Sequence, residues 1–343
     1  MEKYRNLKEP FKLIIKAMKF SLLGGGRWGS ALAFHLRKLG HEVLVFDRSS
    51  QVVERLNHGQ HPYMEGISVE GIRATLILEE VLSFSDYLIL ALPVQVIRDV
   101  LKGKDIKDKR VISASKGLEI GTNKRVSQVL LEIEPSVNVF CLSGPSFASE
   151  VSKGLPTALV LAGKDIEEME RIRREISSES LRVYLSTDLI GVELGGSLKN
   201  VIAIACGISD GLAFGENARA SLITRGLAEI VRIGIRLGAR TETFYGLSGV
   251  GDLFLTASSS QSRNRTFGYL IGQGLSVEES LKRLNQTVEG VYTVRAVYEL
   301  SKALDLHTPI SLAVYRAVAE GLPPLEVALE LLKRPPQNSF EIL

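Results

Sequence analysis

The stretch MKFSLLGGGRWGSALAFHLRKLGHEVLVFDRS, residues 18–49, joins an apolar run, a glycine cluster, a helical pattern and a second apolar run. Gly24, Gly26 and Gly29 give the spacing G-x-G-x-x-G directly after the strand pattern KFSLL, and the second strand, EVLVF, ends at Asp47. In this arrangement the first glycine makes a tight turn, the second lets the backbone approach a pyrophosphate, and the third lets helix and strand pack closely. The stretch therefore predicts a dinucleotide-binding βαβ unit.

The residues at the end of the second strand bear on which dinucleotide is bound. Asp47 is placed to accept hydrogen bonds from the adenosine ribose hydroxyls, which favours NAD. Arg48 could instead hold a 2′-phosphate, which favours NADP, or could be no more than an exposed residue after a strand. The sequence therefore predicts NAD or NADP and leaves the preference open.

Further strand patterns follow and alternate with helical patterns up to residue 187. This alternation predicts an α/β domain over residues 18–187, with a Rossmann-type, doubly wound and mainly parallel sheet. Ligands of such sheets bind beyond the carboxyl ends of the strands, where we expect the segments ALP, ASKGLE and SGPSFASE. The strand patterns are RATLIL (73–78), DYLILALP (86–93), RVISASKG (110–117), VNVFCLSGP (137–145), PTALVLAG (156–163) and LRVYLS (181–186).

From residue 188 onward the pattern is helical throughout, which predicts an all-α C-terminal domain over residues 188–343. SVEE, at 276–279, has the spacing of a capping box. We expect residues 1–17 to be a loose extension and PPQNSFEIL, at the end, to be a surface tail. Two domains of this kind predict an active site in the cleft between them.

Composition narrows the function classes. The 343 residues are 45% hydrophobic and 24% charged, with a formal net charge of +3. A net charge of this size is compatible with an anionic small-molecule ligand and does not indicate nucleic-acid binding. No apolar run approaches the ~18 residues typical of a membrane span. Cys141 and Cys206 lie in apolar segments and are expected to be reduced core residues, as in a cytoplasmic protein. His58 and His61 are expected in a surface loop, so no metal site is predicted.

A lysine and an asparagine introduce the apolar helical stretch LGGSLKNVIAIACGISDG, residues 194–211. Lys199 could extend its amine to solvent, as lone lysines on buried helices do. Alternatively, it could be held without water because the chemistry needs a proton donor there. Gly195 and Gly196 could leave room for a ligand or could allow close helix packing, and Asn200 could hold the lysine, hold a substrate hydroxyl or be merely solvated.

Six motifs resemble those of the soluble NAD(P)-dependent glycerol-3-phosphate dehydrogenases of the bacterial type, in that family's order and over nearly the whole chain from Met18. The resemblance implies the reversible oxidation of sn-glycerol 3-phosphate to dihydroxyacetone phosphate with NAD or NADP. It also implies a supply of glycerol phosphate for phospholipids, and a homodimer. The motifs are GGGRWGSALA, SASKGLE, LSGPSFASEV, ELGGSLKNVIAIACGISDGL, GLSGVGDLFLTASSSQSRNRTFG and VEGVYT.

The resemblance also implies roles for single residues. Lys199 matches the family's general acid/base and Lys116 its second active-site lysine; we pair Asp252, an acid among apolar neighbours, with Lys199 as a third catalytic group. The expected substrate-binding residues are Lys116, Gly144, Ser146, Lys199, Asn200, Asp252, Ser262, Arg263 and Asn264. The expected cofactor-binding residues are Gly24, Gly26, Arg27, Trp28, Gly29, Asp47, Arg48, Lys116, Ala148, Arg263 and Glu289.

The residue types suit this chemistry. A lysine can exchange a proton with a secondary alcohol if burial or a neighbouring cation lowers its ordinary pKa of ~10.4 towards neutrality. Arg263 can hold a phosphate by paired hydrogen bonds, with Ser262 and Asn264 as uncharged donors. Gly25 and Arg27 depart from the small residues usual inside the family's glycine loop.

Two rival functions share the dinucleotide motif. One is a dehydrogenase of the same architecture that acts on a 3-hydroxy acid or a sugar-acid phosphate; the segment GDLFLTASSSQSRNR argues against it. The other is a redox-sensing module that binds NAD(H) only as a signal. Such a module needs no proton-transfer group, so Lys116 and Lys199 argue against it.

Overall fold

The computed structural model describes residues 17–333. The expected N-terminal extension, apart from its last residue, and the expected C-terminal tail lie outside the described residues. Within them, eight strands form one sheet in the order β3-β2-β1-β4-β5-β6-β7-β8. The strands are β1 Lys19–Leu23, β2 Glu42–Phe46, β3 Arg73–Thr75, β4 Tyr87–Leu90, β5 Arg110–Ser113, β6 Asn138–Ser143, β7 Thr157–Ala162 and β8 Leu181–Ser186.

The sheet is doubly wound, as predicted. Strands β1 to β6 are all parallel, β7 pairs antiparallel with β6, and β8 runs parallel to β7. The order 3-2-1-4-5-6 reverses direction at β1, and the carboxyl ends of β1 and β4 flank the crevice where such folds bind dinucleotides. The intervening helices are α1 Arg27–Lys38, α2 Ser50–Asn57, α3 Leu78–Phe84, α4 Val94–Leu101, α5 Val126–Ile133, α6 Ala148–Ser152 and α7 Ile166–Ile176.

The strand expected over residues 73–78 is shorter in the structure. Strand β3 ends at Thr75, whose hydroxyl accepts a hydrogen bond from the Ile77 amide. Leu76 and Ile77 are about half exposed, and α3 begins at Leu78. The apolar pattern misled because these side chains belong to an exposed turn beside the edge strand.

Residues 188–333 are mainly helical, as predicted. A single π-helical turn, Leu247–Gly251, leads into one of these helices. The capping box is confirmed, because Ser276 and Glu279 hydrogen-bond reciprocally at the start of the helix that follows them. The helices are α8 Leu189–Gly211, α9 Glu216–Arg236, α10 Thr241–Phe244, α11 Asp252–Ser258, α12 Arg263–Gly272, α13 Val277–Leu284, α14 Glu289–Ala303, α15 Pro309–Val318 and α16 Pro324–Leu332.

Helix α8 is the axis of the helical half. All of its residues except Leu189, Ile190 and Asp210 are buried. By length and mean hydropathy it is long and apolar enough to cross a membrane, although Glu193, Lys199 and Asp210 divide its apolar residues into runs shorter than a span. However, 89% of its most apolar stretch is buried inside the protein. Its hydropathy is therefore that of a core helix packed on every side.

Glycines bring α8 and α12 unusually close. A Cβ added at Gly207 would overlap the carbonyl oxygen of Arg265, and one at Gly268 would overlap that of Ile204. Gly211 and Gly272 make a similar approach one turn further along. This crossing fixes the position of the first turn of α12 relative to the buried face of α8.

Two other predictions concern single side chains. Cys141 and Cys206 are buried free thiols, as expected, and burial raises both pKa values.

His61 is buried rather than part of an exposed loop, and burial lowers its pKa to about 4. Its Nδ1 accepts the Tyr63 amide at 3.1 Å, so the imidazole is a neutral structural acceptor. Among residues 17–333 no three His, Cys, Asp or Glu side chains cluster as metal ligands.

Replacement of Gly207 by alanine should destabilise the protein. The added methyl group has no room at the α8–α12 crossing, and overpacking of this kind costs about 1–3 kcal/mol. Gly251→Ala is the matched control, because its backbone is also helical and its added Cβ would find no atom nearer than 3.7 Å. Urea denaturation should show a lower free energy of unfolding for Gly207→Ala only. Equal values for the two variants would contradict this account of the crossing.

Candidate active site

The glycine loop between β1 and α1 has the shape that a pyrophosphate needs. Gly24 has φ +103°, and a Cβ there would lie 2.6 Å from the carbonyl oxygen of Ala91. A Cβ at Gly29 would overlap the Gly24 carbonyl oxygen, so this glycine lets α1 pack on the loop. Gly26, at the start of α1, has open space where its side chain would be. The backbone amides of the first turn of α1 can therefore meet a phosphate group.

Asp47 braces the glycine loop. Its Oδ2 accepts the Gly25 amide at 2.8 Å, and its Oδ1 accepts the Ser49 amide at 2.9 Å. Gly25 departs from the family pattern, and the reason is spatial: a Cβ there would lie 2.8 Å from a methyl group of Val52 on α2. The neighbouring Arg48 is exposed. The carboxylate is thus engaged with backbone, while the guanidinium is accessible to a ligand.

Arg27 and Trp28 open helix α1 beside this loop. Arg27 is exposed and adds a positive charge at the helix start. Trp28 is half-buried, and its indole N–H has no hydrogen-bond partner among the described residues. Both side chains therefore lie next to the turn that would receive the pyrophosphate.

Lys199 does not extend to solvent. It lies in the middle of α8, is 6% exposed, and its Nζ donates to Asp252 Oδ1 and, at 2.9 Å, to Thr256 Oγ1. Asp252 is 1% exposed and opens α11 after the π-helical turn. Its second oxygen, Oδ2, accepts Lys116 Nζ at 2.7 Å. One buried carboxylate therefore joins both lysines.

This arrangement brings the pKa of the Lys199 amine close to neutral pH. Its pKa is lowered to about 7, chiefly by burial and also by the positive charge of Lys116, while Asp252 opposes the shift. When Lys199 is protonated, the two lysines and one carboxylate carry a net positive charge in a site of low dielectric. Such a site favours an anionic ligand and an amine that gains and loses a proton near neutral pH.

Gly195 and Gly196 both lie against protein atoms, which favours close packing over room for a ligand. A Cβ at Gly195 would lie 2.5 Å from the Ser248 carbonyl oxygen in the π-helical turn. A Cβ at Gly196 would lie 2.6 Å from Ser143 Oγ, at the end of β6. Gly195 therefore lets the turn before Asp252 pack against α8, and Gly196 lets the end of β6 pack against it.

The loop after β5 carries Lys116 to α8. The Gly117 amide donates to Ser197 Oγ at 3.0 Å, and Lys116 Nζ also donates to the Gly144 carbonyl at 3.2 Å. Ser146 Oγ donates to the same carbonyl at 3.1 Å. The loops after β5 and β6 therefore meet at Lys116, and Ala148 follows as the first residue of α6.

The start of α12 is tied to α8 and α14. Asn264 Nδ2 donates to Asn200 Oδ1, and Asn264 Oδ1 accepts the Gly290 amide, both at 2.9 Å. Ser262 is the N-cap of α12 and accepts the Arg265 amide. Asn200 thus holds Asn264 rather than the lysine beside it, and the side-chain amide of Asn264 links α8, α12 and α14.

Arg263 and Glu289 are close enough for their opposite charges to affect each other's pKa. Arg263 is exposed, with Glu289 as its neighbouring opposite charge and Arg27 as a neighbouring like charge. Glu289 Oε2 is buried without a hydrogen-bond partner among the described residues, and burial raises its pKa to about 7 although Arg263 opposes the shift. A Cβ at Gly117 would lie 3.3 Å from that oxygen. An unpaired oxygen beside the Lys116 loop is available to a ligand.

Sequence reasoning missed Thr256 and Ser197. Thr256 lies four residues after Asp252 on α11 and so on the same helix face, a spacing that the sequence GDLFLT does contain. Ser197 gave no signal, because its partner is a backbone amide from a distant loop.

Removing the charge of Lys116 should raise the pKa of Lys199, because Lys116 is one cause of its lowered value. We expect the Lys116→Met variant to shift the titration midpoint of the Lys199 side chain, followed by NMR of its ¹³Cε, to higher pH. Lys153→Met, at an exposed position, is the control and should leave the midpoint at about 7. An unchanged or lower midpoint in Lys116→Met would rule out the coupling.

Comparisons with known proteins cover both halves of the chain. Residues 19–169 match the family model "NAD-dependent glycerol-3-phosphate dehydrogenase N-terminus", and residues 188–329 match its C-terminus counterpart. These matches argue against both alternative functions, the dehydrogenase of a 3-hydroxy acid or sugar-acid phosphate and the redox-sensing module.

Individual relatives agree over nearly their full lengths. The glycerol-3-phosphate dehydrogenase (NAD(P)+) of Carboxydothermus hydrogenoformans is 44% identical over 93% of this chain and 97% of its own length. The enzyme of the same name from a Thermotoga strain is 45% identical over 94% of this chain and 99% of its own. The crystal structure of glycerol-3-phosphate dehydrogenase from Coxiella burnetii has a TM-score of 0.88 at 35% identity, covering 93% of this chain and 99% of that one. The glycine loop and the two lysines that share Asp252 thus belong to a member of the NAD-dependent glycerol-3-phosphate dehydrogenase family, an oxidoreductase that uses NAD or NADP.

Proposed function

We propose that the protein interconverts sn-glycerol 3-phosphate and dihydroxyacetone phosphate, with Lys199 as general acid/base. The observation that carries the proposal is the buried Lys199 amine, bonded to Asp252 and with its pKa lowered to about 7. A group that titrates near the working pH can take a proton in one direction and return it in the other.

The reaction removes a proton from the C2 hydroxyl and a hydride from the C2 carbon. The nicotinamide, when bound, supplies the hydride acceptor, or the hydride donor in reverse. Lys199 Nζ takes the hydroxyl proton in oxidation and returns it to the developing alkoxide in reduction. Lys116 places a second positive charge near the same oxygen, and Asp252 holds both amines in place.

The phosphate of the substrate is held at the other end of the site. Arg263 supplies a paired guanidinium contact, and Asn264 adds its remaining N–H, since its other amide contacts go to Asn200 and Gly290. Ser262 keeps its hydroxyl proton free for a ligand while its oxygen caps α12. Gly144 and Ser146, beside Lys116, complete the proposed substrate pocket.

The cofactor lies along the carboxyl edge of the sheet in this proposal. The glycine loop receives the pyrophosphate, Arg48 and Asp47 face the adenosine end, and Arg27 and Trp28 flank the turn. Three further residues face the nicotinamide end: Ala148, Arg263 and Glu289. The open position at Gly26 and the unpaired Glu289 oxygen support this placement.

The cellular role follows from the product. Glycerol 3-phosphate is the backbone of phospholipids, and we propose that the enzyme supplies it for their synthesis. The domain division at residues 187 and 188, the homodimer and the cytoplasmic location stay predictions.

Lys199→Ala should lose general acid/base catalysis. We expect the rate of NADH or NADPH oxidation with dihydroxyacetone phosphate, followed at 340 nm, to fall by roughly a hundredfold or more. Lys153→Ala is the control for the loss of an exposed lysine. Full activity in Lys199→Ala would exclude the proposed role, and a wild type inert with both cofactors would exclude the substrate.

The two reaction directions should depend oppositely on pH. Oxidation needs the neutral amine, so its kcat/KM should rise as the pH increases through about 7. Reduction needs the ammonium, so its kcat/KM should fall over the same interval. Steady-state rates measured from pH 5 to 9, roughly two units either side of that pKa, check the sign. Parallel profiles in the two directions would contradict Lys199 as the shared group.

Arg48 should favour NADP over NAD. Both carboxylate oxygens of Asp47 already accept backbone amides, whereas Arg48 is exposed and can pair with a 2′-phosphate. We expect Arg48→Ala to lower kcat/KM for NADPH roughly tenfold more than for NADH. Arg182→Ala, an exposed arginine on β8, is the matched control. Equal losses with the two cofactors would show that Arg48 does not read the 2′-phosphate.

A further inference from the structure

The loop between β5 and α5, residues 114–125, carries Lys116 from the sheet into the helical half and is called the Lys116 loop below. Leu118 in this loop is fully buried and packs in the hydrophobic core of the C-terminal helices. Asn123 Nδ2 donates to Glu299 Oε2 on α14 at 2.9 Å. The Lys116 loop therefore belongs to the sheet by sequence and to the helical half by its contacts.

Two residues of α8 hold the Lys116 loop at its two ends. Ser197 Oγ accepts the Gly117 amide at 3.0 Å and donates to the Glu193 carbonyl, one turn earlier in α8, at 2.7 Å. The Glu193 carboxylate binds the other end, where the loop leads into α5. Its Oε1 accepts the Ser127 amide at 2.8 Å, and its Oε2 accepts Ser127 Oγ and Arg125 Nη1, both at 2.6 Å. Because Glu193 and Ser197 are four residues apart, they lie on one face of α8.

Lys116 lies close to both attachments. It precedes Gly117 in the chain, and its side chain runs beside α8, since a Cβ at Gly196 would lie 3.6 Å from Lys116 Cδ. Burial raises the pKa of the Cys141 thiol on β6, and the charge of Glu193 raises it further. Lys116 opposes this rise, so Glu193 and Lys116 lie near the same thiol. A shift of the loop along α8 would therefore move the Lys116 amine as well.

The attachment through Glu193 is made of buried charge. The side chains of Glu193 and Arg125 are 5% and 13% exposed. Moving such a pair out of water is costly, and apolar residues of similar volume often stabilise a core as well or better. Hydrogen bonds, however, depend on direction as well as distance. A carboxylate that accepts three of them fixes the start of α5 more narrowly than apolar packing would.

We propose that Glu193 is a positioning residue, which holds the Lys116 loop against α8 and so keeps the Lys116 amine on the Asp252 carboxylate that it shares with Lys199. Glu193 acts on Lys199 only through Lys116. Its effect on turnover rests on the proposed function, whereas its effect on the position of Lys116 does not.

The test is the titration midpoint of the Lys199 side chain in Glu193→Gln, followed by NMR of its ¹³Cε. The charge of Lys116 and burial both lower the pKa of Lys199, and Asp252 opposes them. A loop released from α8 takes the Lys116 charge away and admits water, and both changes raise this pKa. We expect the midpoint to rise by about one pH unit. Loss of the Glu193 charge by itself would lower the midpoint, so a rise identifies displacement of Lys116.

Glu229→Gln is the matched control. Glu229, on α9, is a buried carboxylate that holds the start of α15 as Glu193 holds the start of α5. It accepts the Ile310 amide at 2.6 Å, the Ser311 amide at 3.0 Å and Ser311 Oγ at 2.8 Å. Both glutamine variants should unfold at lower urea concentration than the wild type, because each loses a buried carboxylate with several hydrogen bonds. Only Glu193→Gln should move the Lys199 midpoint.

A milder pair of variants decides the question if Glu193→Gln does not fold. Ser127→Ala removes one hydrogen bond to Glu193 and leaves the ion pair with Arg125. We expect a smaller rise of the Lys199 midpoint in this variant. Ser311→Ala removes the corresponding hydrogen bond to Glu229 and should leave the midpoint at about 7.

The pH profile of turnover separates this proposal from the proposed function. In Glu193→Gln, the rise of kcat/KM for oxidation with pH should move upward by the same amount as the NMR midpoint. An NMR midpoint that rises without a matching change in the profile would contradict Lys199 as the acid/base and leave the role of Glu193 standing.

Three results would overturn the role of Glu193. One is an unchanged or lowered Lys199 midpoint in folded Glu193→Gln, because its contacts would then serve stability alone. Another is an equal rise in Glu229→Gln. The third applies if Glu193→Gln does not fold, and is a midpoint in Ser127→Ala that equals that of Ser311→Ala.

Discussion

The buried contact between Asp252 and the two lysines is the constraint on which the rest of the site depends. Moving an ion out of water costs on the order of several kcal/mol, and one carboxylate repays this only in part for two ammonium groups. Lys199 responds with a pKa lowered to about 7. The cost of burying these charges therefore supports the proposed chemistry. It gives the Lys199 amine a pKa at which a proton can be exchanged, and the positive charge of the protonated cluster favours a phosphorylated substrate.

The three members of the cluster come from three parts of the fold, and small residues let them meet. Lys116 follows β5 at the sheet edge, Lys199 lies in α8, and Asp252 begins α11. Gly196 admits the sheet edge to α8, and Gly195 admits the π-helical turn before Asp252. A methyl group at Gly195 would push the turn before Asp252 away from α8, and one at Gly196 would push away Ser143 at the sheet edge, so the backbone spacing is as much a part of the site as its charges.

The features that could be predicted from the sequence are those determined by residues close together in the chain. The order of strand, glycines, helix and strand predicted the cofactor loop, and an acid among apolar residues predicted the partner of Lys199. Features that depend on which residues lie opposite in the folded protein were missed, misinterpreted or left open. Gly195 and Gly196 lie against protein rather than ligand, His61 is buried, and Ser197 bonds a distant loop. The residues next to these positions in the sequence do not indicate which distant residues they contact in the folded protein.

Helix α8 shows how stability and catalysis share the same contacts. Its hydropathy alone would allow a membrane span, yet its length places Lys199 in one part of the core and the glycines that meet α12 in another. Because the glycines fix α12, they also fix Asn264, which bonds Asn200 on α8 and the first turn of α14. The Lys199 amine and the proposed phosphate site are therefore held at a constant separation by backbone packing, and a looser crossing would impair both folding and the alignment of these groups.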